Sequence, residues 1–498
     1  MAKKTAGQTD EPAQGERGIR REPMSRVDTA WLRMERPTNL MMITGVLMFD
    51  TPMPIERLRK VIKTRFLSYP RFRQKAVDGP TGAVWEDDAD FDLEWHVRLT
   101  ALPGKAGKRE LERFVSTLAS TPLDQTKPLW QFHLVESYQG GSALIARIHH
   151  CYADGIALVQ VLLSLTDTTA GAGKGEDLES VWLKDEKPAG KGRGGFERYR
   201  KLGSQVLAKG MEMYRDPSLA AVLANEGREI ARELLNAVLL PDDPVTVLKG
   251  RLGVSKRVAW AEPLDLADVK AVSRAYQCTV NDVLMASAAG ALRSYLLDRG
   301  EHVDGVTLRA TVPVNLRPLK HARKLGNHFG LVFLDLPVGE ENPVRRLERV
   351  AAHMQDLKTS RQAIVSFGLL AAMGLAPAGV QRMALDLFSR KATAVATNVP
   401  GPKMPLYMGG QKLREMMFWV PQTGDVGIGI SILSYQDHVH FGLIADGRLM
   451  PDPDAVIRRF GPEFEKLLYL AMMADWDEPV RPWDAEMVRA NLMEAARA

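Results

Sequence analysis

One stretch of sequence, LIARIHHCYADGIALVQVLL from Leu144 to Leu163, constrains the fold more than any other. An apolar run of strand length ends in two adjacent histidines, and a second apolar run of helix length begins directly after an Asp-Gly pair. The pattern predicts a buried strand, a polar turn and a buried helix. Because successive side chains of a strand point to opposite faces, His149 and His150 are expected to point in different directions. One ring can therefore face a reaction channel while the other is held inside the domain by a hydrogen bond.

Two other interpretations of this stretch stay open at the level of residue types. Asp154 suits the N-cap of the following helix, and both histidines suit buried positions with satisfied hydrogen bonds and no part in catalysis. A metal site fits less well, because the two histidines and Asp154 lack the same-face spacing of a zinc-binding helix and no third histidine stands nearby. Cys151 is not expected to be a nucleophile, since the adjacent histidine does not share its face.

Chain length and composition support a two-domain globular protein. The 498 residues, 45% of them hydrophobic, are sufficient for two cores in domains of roughly 150 to 250 residues. The two cysteines, Cys151 and Cys278, exclude a disulfide framework and favour a reducing, intracellular compartment. The 66 basic residues exceed the 61 acidic residues only modestly, for a net charge of +5. Nucleic acid is therefore not an expected partner, because its binding requires a stronger concentration of basic residues.

Several segments outside the main motif bear on domain organisation. Residues 1–22 are polar and charged, without the apolar centre of a signal peptide, and predict a disordered basic tail. The stretch 171–195 is rich in Gly, Lys and Glu and is the expected domain boundary. Two amphipathic helices are expected within 198–240, where they either pack between the domains or contact lipid. The uncharged stretch 363–380 predicts a buried or lipid-facing helix and not a membrane span, because glycines and a proline interrupt it.

Helical and extended patterns alternate on both sides of this boundary, which predicts a mixed α/β domain twice. Among the expected elements are helices in KRELERFVSTLAST and NDVLMASAAGALRSYLLDR and strands in WQFHLVES, VTLRATVPV, GLVFLDLPV, DVGIGISILSY and HVHFGLIAD. A weak repeat links the halves, because Ala-Asp-Gly occurs at 153–155 and again at 445–447. The second copy has no histidine pair before it. Only the first half is therefore expected to carry chemistry.

Five segments in order carry a family resemblance. HHCYADG matches the HHxxxDG pattern of the CoA-dependent acyltransferase superfamily. The other segments are similar to the bacterial wax ester synthase/diacylglycerol acyltransferase family, and they are PMSRVDTAWLRMER from Pro23, KPLWQFHLVE from Lys127, TVNDVLMASAAGALRSYL from Thr279 and NVPGPKMPLYMGGQKL from Asn398. They span nearly the whole chain, so together they are far more specific than HHxxxDG alone.

The resemblance implies an α/β fold of two chloramphenicol-acetyltransferase-like (CoA-dependent acyltransferase) domains, joined by a helical linker and with a tunnel between them. The N-terminal domain, which carries HHxxxDG, is expected over 23–170. The linker and amphipathic helices follow over 171–250, the C-terminal domain over 251–475, and a C-terminal helical tail over 476–498.

The resemblance also assigns roles within the motif. It implies His150 as the general base, His149 and Asp154 as the other catalytic members, and Gly155 as structural support. A neutral imidazole can take the proton of a hydroxyl group as its oxygen attacks a thioester, and can then protonate the leaving thiolate. Acyl-CoA is the expected co-substrate, and neither a metal nor a permanently bound cofactor is expected.

Two further segments receive candidate substrate-binding residues. The family's Asn-Asp pair, here Asn281 and Asp282, is expected near the active site. Asp282 fits a capping box with Thr279, so the open question is whether Asn281 contacts substrate or oxyanion, or makes a structural hydrogen bond. Pro128, Leu129 and Trp130 form the family's PLW motif, for which buried aromatic packing is favoured over contact with the acyl chain.

A partner for Asp154 is expected in TVPVNLRP. Related acyltransferases pair the motif aspartate with an arginine, and Arg317 follows the apolar part of this segment. An Asp154–Arg317 ion pair would fix the loop that carries His150. The alternative leaves Asp154 as a helix cap and Arg317 free to bind a phosphate of CoA.

The expected activity is acyl-CoA-dependent O-acyl transfer that forms neutral lipid, either triacylglycerol from diacylglycerol or wax ester from a long-chain fatty alcohol. Two alternatives remain: a non-catalytic lipid-surface protein with an acyltransferase fold, and a condensation enzyme that uses carrier proteins. The expected location is the cytoplasm, with peripheral attachment to the inner face of the membrane or to lipid inclusions, such as a lipid-droplet surface.

Overall fold

The computed structural model describes residues 20–79, 82–171, 239–316, 325–360, 362–373 and 378–473, together with residue 481 and residues 486–487. The described helices are α1 (Arg26–Arg33), α2 (Ile55–Thr64), α3 (Leu93–His96), α4 (Lys108–Ala119), α5 (Gly155–Ser164), α6 (Leu266–Ala275), α7 (Val280–Asp298), α8 (Pro343–Thr359), α9 (Gln362–Met373), α10 (Ala378–Ser389) and α11 (Asp454–Met473). Short 3-10 helices follow α2 at Phe66–Ser68 and Pro70–Arg73.

The strands form three sheets. They are β1 (Arg21–Pro23), β2 (Met42–Phe49), β3 (Gln74–Val77), β4 (Val84–Asp87), β5 (Val97–Thr100), β6 (Trp130–Tyr138), β7 (Gly141–His149), β8 (Lys256–Trp260), β9 (Leu264–Asp265), β10 (Leu308–Asn315), β11 (Phe329–Leu336), β12 (Ala394–Val399), β13 (Tyr407–Met408), β14 (Gln411–Trp419), β15 (Ile428–Tyr435) and β16 (His438–Asp446). The mixed α/β pattern predicted for both halves is confirmed, including the hairpin of β15 and β16.

The first sheet has the strand order β13-β14-β2-β7-β6-β5. Strand β7, which leads into the histidine pair, lies between β2 and β6 and is antiparallel to both. Every residue of β2 and β7 is buried. Their near-continuous apolar sequences follow from this, because neither face meets water. The end of β7 is therefore buried and held by strands on both sides.

The second sheet has the order β11-β10-β12-β15-β16-β8, and β9 pairs with β16 off this path. Helices α7, α8 and α11 pack together against it and bury a separate hydrophobic core. A small third sheet, β1-β4-β3, lies in the first half. Two principal sheets with separate cores agree with the expected pair of domains.

Two strands of the second half, β13 and β14, belong to the first sheet. Strand β14 pairs with β2 in an antiparallel register that joins Trp419 to Thr44. The first sheet is therefore completed by a segment more than 360 residues further along the chain than β2. The sequence boundaries proposed for the domains stay a prediction, but a division of the chain into consecutive pieces does not describe this exchange.

A helix of the first half covers the edge of the second sheet. Side chains at every fourth position of α4 accept hydrogen bonds from alternate backbone N–H groups of the edge strand β8. The pairs are Glu112 with Trp260 (3.4 Å), Ser116 with Val258 (3.0 Å) and Ser120, directly after α4, with Lys256 (2.7 Å). The helix thereby satisfies donors that an uncovered edge strand would leave unpaired.

The structure bears on the segments predicted at 1–22 and at 363–380. The disordered tail predicted over 1–22 is wrong at its end, because Arg21 and Glu22 form part of β1 and pair with Glu86 and Trp85 of β4. The stretch 363–380 contributes to α9 and α10, and none of the described helices combines the length and apolar character needed to cross a bilayer. The amphipathic helices expected within 198–240, and nearly all of the tail expected over 476–498, lie outside the described residues.

Candidate active site

The predicted strand, turn and helix form around the histidine pair. Strand β7 ends at His149, whose backbone N–H donates to the carbonyl of Leu129 at 2.9 Å. The N–H of His150 donates to the carbonyl of Met41 at 2.7 Å. Helix α5 then begins at Gly155. The expectation that strand alternation directs both rings is wrong for His150, because this residue lies in the turn beyond the last strand residue.

His149 is held inside the protein by a carboxylate. Its ring is 1% exposed, with Nε2 3.1 Å from Oε2 of Glu35 and Nδ1 accepting from the N–H of Cys151 at 3.1 Å. Burial raises the pKa of Glu35, but contact with His149 and a backbone hydrogen bond from Met41 outweigh it, so the pKa is lowered overall. His149 is thus the ring fixed in the body of the domain.

His150 has a different environment, made mainly of aromatic rings. It stacks on Trp31 of α1 with 4.1 Å between ring centroids, and Phe329 of β11 approaches edge-on at 5.7 Å. Burial and, secondarily, the charge of His149 lower the pKa of His150 to about 3. The ring is therefore neutral at physiological pH, which is the form that a general base requires.

A buried polar pair lies behind His150. Asn327 donates through Nδ2 to the carbonyl of His150 at 2.9 Å and to Oδ1 of Asp28 at 2.8 Å. Burial raises the pKa of Asp28, against several hydrogen bonds that lower it. Asp28 comes from α1 and Asn327 from the loop before β11, so both halves of the chain contribute to the surroundings of His150.

Asp154 joins the turn to the same loop. Its Oδ1 accepts from the N–H of Ala157 at 2.8 Å, which makes it the N-cap of α5. Its Oδ2 accepts from the N–H of His328 at 3.2 Å. The cap is confirmed, and Asp154 additionally holds the loop of the second half. Arg317 lies outside the described residues, so the Asp154–Arg317 pair stays a prediction.

Gly155 is the first residue of α5, and its backbone conformation does not demand glycine. A Cβ placed there would meet only Val420 and Ile43, at ordinary contact distances of 3.6 and 4.0 Å. Its assigned role as structural support stays a prediction, because nothing within the described residues demands glycine at this position.

The PLW segment packs beneath the histidine turn. Trp130 is fully buried, stacks on His96 with 4.2 Å between ring centroids and donates through Nε1 to the carbonyl of Phe72 at 2.8 Å. The N–H of Leu129 donates to the hydroxyl of Tyr152, a residue of the HHxxxDG turn, at 3.0 Å. These contacts agree with the packing role favoured for Pro128–Trp130, and contact with an acyl chain stays a prediction.

The Asn-Asp pair lies at the start of α7. Asp282 and Thr279 form the predicted capping box, with hydrogen bonds of 2.8 and 3.2 Å. Asn281 accepts through Oδ1 from Nδ2 of Asn398 at 2.8 Å. This bond ties together two of the segments that carry the family resemblance. Among the described contacts, none joins Asn281 to the histidine pair, so its role toward substrate stays a prediction.

The second Ala-Asp-Gly copy has a structural part. Asp446 ends β16, is fully buried and lies 3.1 Å from Nζ of Lys256. It also accepts from the N–H of Gly253 at 3.0 Å.

Across residues 20–473, apart from the four short gaps and the undescribed stretch 172–238, no three His, Cys, Asp or Glu side chains are grouped as metal ligands.

Four functional candidates escaped prediction from sequence, namely Asp28, Trp31, Glu35 and Asn327. The first three lie in the PMSRVDTAWLRMER segment, which entered the prediction only as a family resemblance. The sequence feature that could have identified them is an acidic or aromatic residue on the inward face of an amphipathic helix, for Asp28 and Trp31, or just after that helix, for Glu35. Asn327 had no local signal, because its significance depends on contacts 177 and 299 residues away along the chain.

Comparison with known proteins gives a consistent result. Residues 24–284 match the wax ester synthase/diacylglycerol acyltransferase catalytic domain, and residues 325–468 match the C-terminal domain of the same group. A Mycobacterium tuberculosis H37Rv protein named probable diacylglycerol O-acyltransferase tgs1 is 31% identical over 410 residues, which cover 81% of this chain and 84% of that protein. O-acyltransferase WSD of Acinetobacter baylyi is 28% identical over 448 residues, which cover 86% and 93%.

Solved structures agree on the fold. The wax ester synthase/diacylglycerol acyltransferase from Marinobacter aquaeolei VT8 superposes with a TM-score of 0.65 at 24% identity, over 91% of this chain and all of that one. The first condensation domain of the calcium-dependent antibiotic synthetase superposes with a TM-score of 0.56 at 16% identity, over 92% of this chain and 98% of that one.

Proposed function

The chain belongs to the wax ester synthase/diacylglycerol acyltransferase family, and from this premise we propose that it is an acyl-CoA-dependent O-acyltransferase that makes neutral lipid. The acyl acceptor is a diacylglycerol, a long-chain fatty alcohol or both. Acyl-CoA is the co-substrate, and the products are triacylglycerol or wax ester together with free CoA. His150 is the general base in this proposal.

The reaction proceeds without a covalent enzyme intermediate. The imidazole of His150 takes the hydroxyl proton of the alcohol while the alcohol oxygen forms a bond to the thioester carbonyl carbon. The carbon–sulfur bond then breaks, and the imidazolium returns its proton to the leaving thiolate. Base catalysis of this kind contributes roughly 10² to 10⁴-fold, so alignment of the two substrates supplies much of the remaining rate enhancement.

The observation that carries the proposal is the contrast between the two adjacent rings. Glu35 holds His149 at 3.1 Å, whereas the neutral ring of His150 stacks on Trp31. Because burial lowers the pKa of His150 to about 3, the ring is unprotonated but weakly basic. Proton transfer therefore has to accompany attack by the alcohol oxygen and cannot precede it as a separate equilibrium.

Thiol release from acyl-CoA tests this function. The purified chain is given palmitoyl-CoA with dioleoylglycerol, with hexadecanol or with no acceptor, and free thiol is followed with time. Acceptor-dependent release together with formation of the matching ester supports the proposal. Release that is equal with and without acceptor, or no release with any acceptor, contradicts it. Transfer only from an acyl group on a carrier protein would instead identify a condensation enzyme.

Peripheral attachment to lipid forms a separate part of the proposal. The net charge of +5 and exposed apolar side chains on α10, Val380 and Met383, support contact with an anionic lipid surface. Because salt screens exposed charges beyond about 10 Å at 0.1 M, binding to anionic liposomes should fall as salt rises. Equal binding to neutral and anionic liposomes at every salt concentration would contradict the electrostatic contribution.

A further inference from the structure

Two buried polar atoms beside the base lack hydrogen-bond partners among the described residues. They are Nδ1 of His150 and Oδ1 of Asn327. Both residues are less than 5% exposed. Such atoms are costly to bury alone, and in this pair the ring nitrogen is able to donate and the amide oxygen is able to accept.

The side chain of Asn327 is fixed in one orientation. Nδ2 carries two hydrogens and makes two hydrogen bonds, to Oδ1 of Asp28 at 2.8 Å and to the carbonyl of His150 at 2.9 Å. The backbone N–H of Asn327 donates to the same Asp28 oxygen at 3.1 Å. Because both Nδ2 hydrogens are used, a flipped amide would place an oxygen against two acceptors. Oδ1 is therefore the acceptor left over.

The position of Asn327 bears on which ring nitrogen of His150 carries the proton. The side chain of Asn327 and the main-chain carbonyl of His150 both act against the lowering of the His150 pKa, as oxygen acceptors near a ring N–H do. Asn327 holds the carbonyl of His150 through Nδ2, and its own Oδ1 is the acceptor that is still unpaired among the described residues. Trp31 fixes the plane of the ring by stacking. The oxygen acceptors beside the ring then decide which ring nitrogen carries the proton.

We propose that Asn327, oriented by Asp28, is the positioning residue of His150: it keeps the proton on Nδ1 and leaves the lone pair of Nε2 for the alcohol. This inference rests on the proposed function, in which His150 is the base. The role resembles that of the carboxylate behind the histidine of a hydrolase triad, with a neutral amide in its place. Because Asp28 and Asn327 come from different halves of the chain, both halves contribute to the positioning of the base.

Three variants test the inference. Asn327→Ala removes the hydrogen bond to the carbonyl of His150 and, with Oδ1, the proposed acceptor for its ring N–H. A double variant, Asp28→Asn with Asn327→Asp, exchanges amide and carboxylate and places a negative charge beside the ring. Asn39→Ala is the matched control, because Asn39 is equally buried and donates from Nδ2 to the carbonyls of Gly424 and Val426 at 2.8 and 3.1 Å. Thermal unfolding and circular dichroism establish that each variant is folded.

Thiol release gives the decisive kinetics. A disturbed base loses much of its contribution, so Asn327→Ala should lower kcat on the order of 10²-fold, with KM for acyl-CoA unchanged within about threefold. In the double variant the added carboxylate should move the acid limb of the kcat profile upward by about one pH unit or more. Asn39→Ala should leave that limb at the wild-type pH.

The outcomes separate this inference from the proposed function. If the wild type transfers acyl groups, His150→Ala does not, and Asn327→Ala retains the wild-type kcat, the positioning role is overturned while the function stands. An unmoved acid limb in a folded double variant overturns it as well. If His150→Ala retains transfer, the assignment of the base itself fails.

Discussion

Glu112 gives the interface between the two halves a measurable dependence on pH. It lies in α4, is 7% exposed and accepts from the N–H of Trp260 at the edge of the second sheet. Burial, and then the charge of Asp454, raise the pKa of Glu112 to about 7, against an ordinary value of 4.5. The folded protein therefore favours the protonated form of the Glu112 carboxyl group at this interface.

The sign of the effect follows from linkage. Because the folded-state pKa lies above the unfolded-state pKa, the stabilising contribution of the protonated form is complete below pH 4.5 and is lost as pH rises through about 7. A difference of about 2.5 pKa units corresponds to about 3 kcal/mol. Most of this change, about 2 kcal/mol or more, falls between pH 5 and pH 8.

Glu112→Gln isolates this contribution. The amide keeps an oxygen for the N–H of Trp260 but does not ionise, so the variant should be more stable than the wild type by about 3 kcal/mol at pH 8 and by about 1 kcal/mol at pH 5. Urea unfolding at several pH values, read by circular dichroism, measures the difference. The control is Glu56→Gln, since the Glu56 side chain is 79% exposed. A Glu112→Gln difference that is the same at every pH, or a variant less stable than the wild type at pH 8, would show that Glu112 is not held protonated in the folded protein.

Three further predictions concern the site. Glu35→Gln should weaken the hold on His149 and lower the free energy of unfolding by about 1 to 3 kcal/mol, which urea unfolding measures; a variant as stable as the wild type would contradict that hold. The acid limb of the wild-type kcat profile should lie well below the ordinary histidine pKa of 6.5, because burial lowers the pKa of His150 to about 3; loss of activity centred near pH 6.5 would contradict a buried neutral base. A double-mutant cycle of Asp154→Asn and Arg317→Gln, read as unfolding free energy, should give coupling well above 1 kcal/mol if the two are paired, whereas additive losses would leave Asp154 as a helix cap of about 1 kcal/mol.

The sequence was sufficient to predict the local parts of the fold. Period-two and near-continuous apolar runs predicted β6, β7, β10, β11 and the hairpin of β15 and β16, because burial on one or both faces of a strand leaves a direct trace in its own residues. The cap at Asp154 and the box of Thr279 and Asp282 were readable for the same reason, since each is completed within four residues.

The parts that escaped prediction depend on contacts distant along the chain. No local pattern shows that β14 joins the sheet of the first half, because the choice of a strand's neighbour is made by tertiary packing. The hydrogen bonds between α4 and β8 could not be predicted for the same reason. In the sequence, Glu112 and Ser116 appear as ordinary polar residues of a helix. At the site, sequence identified the two rings but not Glu35 and Asn327, the residues that give those rings different tasks.

The role of His150 as the general base is tested by the rate of acceptor-dependent thiol release by His150→Ala and His150→Gln. His302→Ala serves as the control, because His302 is 86% exposed. With folding verified by thermal unfolding, both His150 variants should fall by on the order of 10²-fold or more, while His302→Ala keeps the wild-type rate. A folded His150 variant that releases thiol at close to the wild-type rate would contradict His150 as the base.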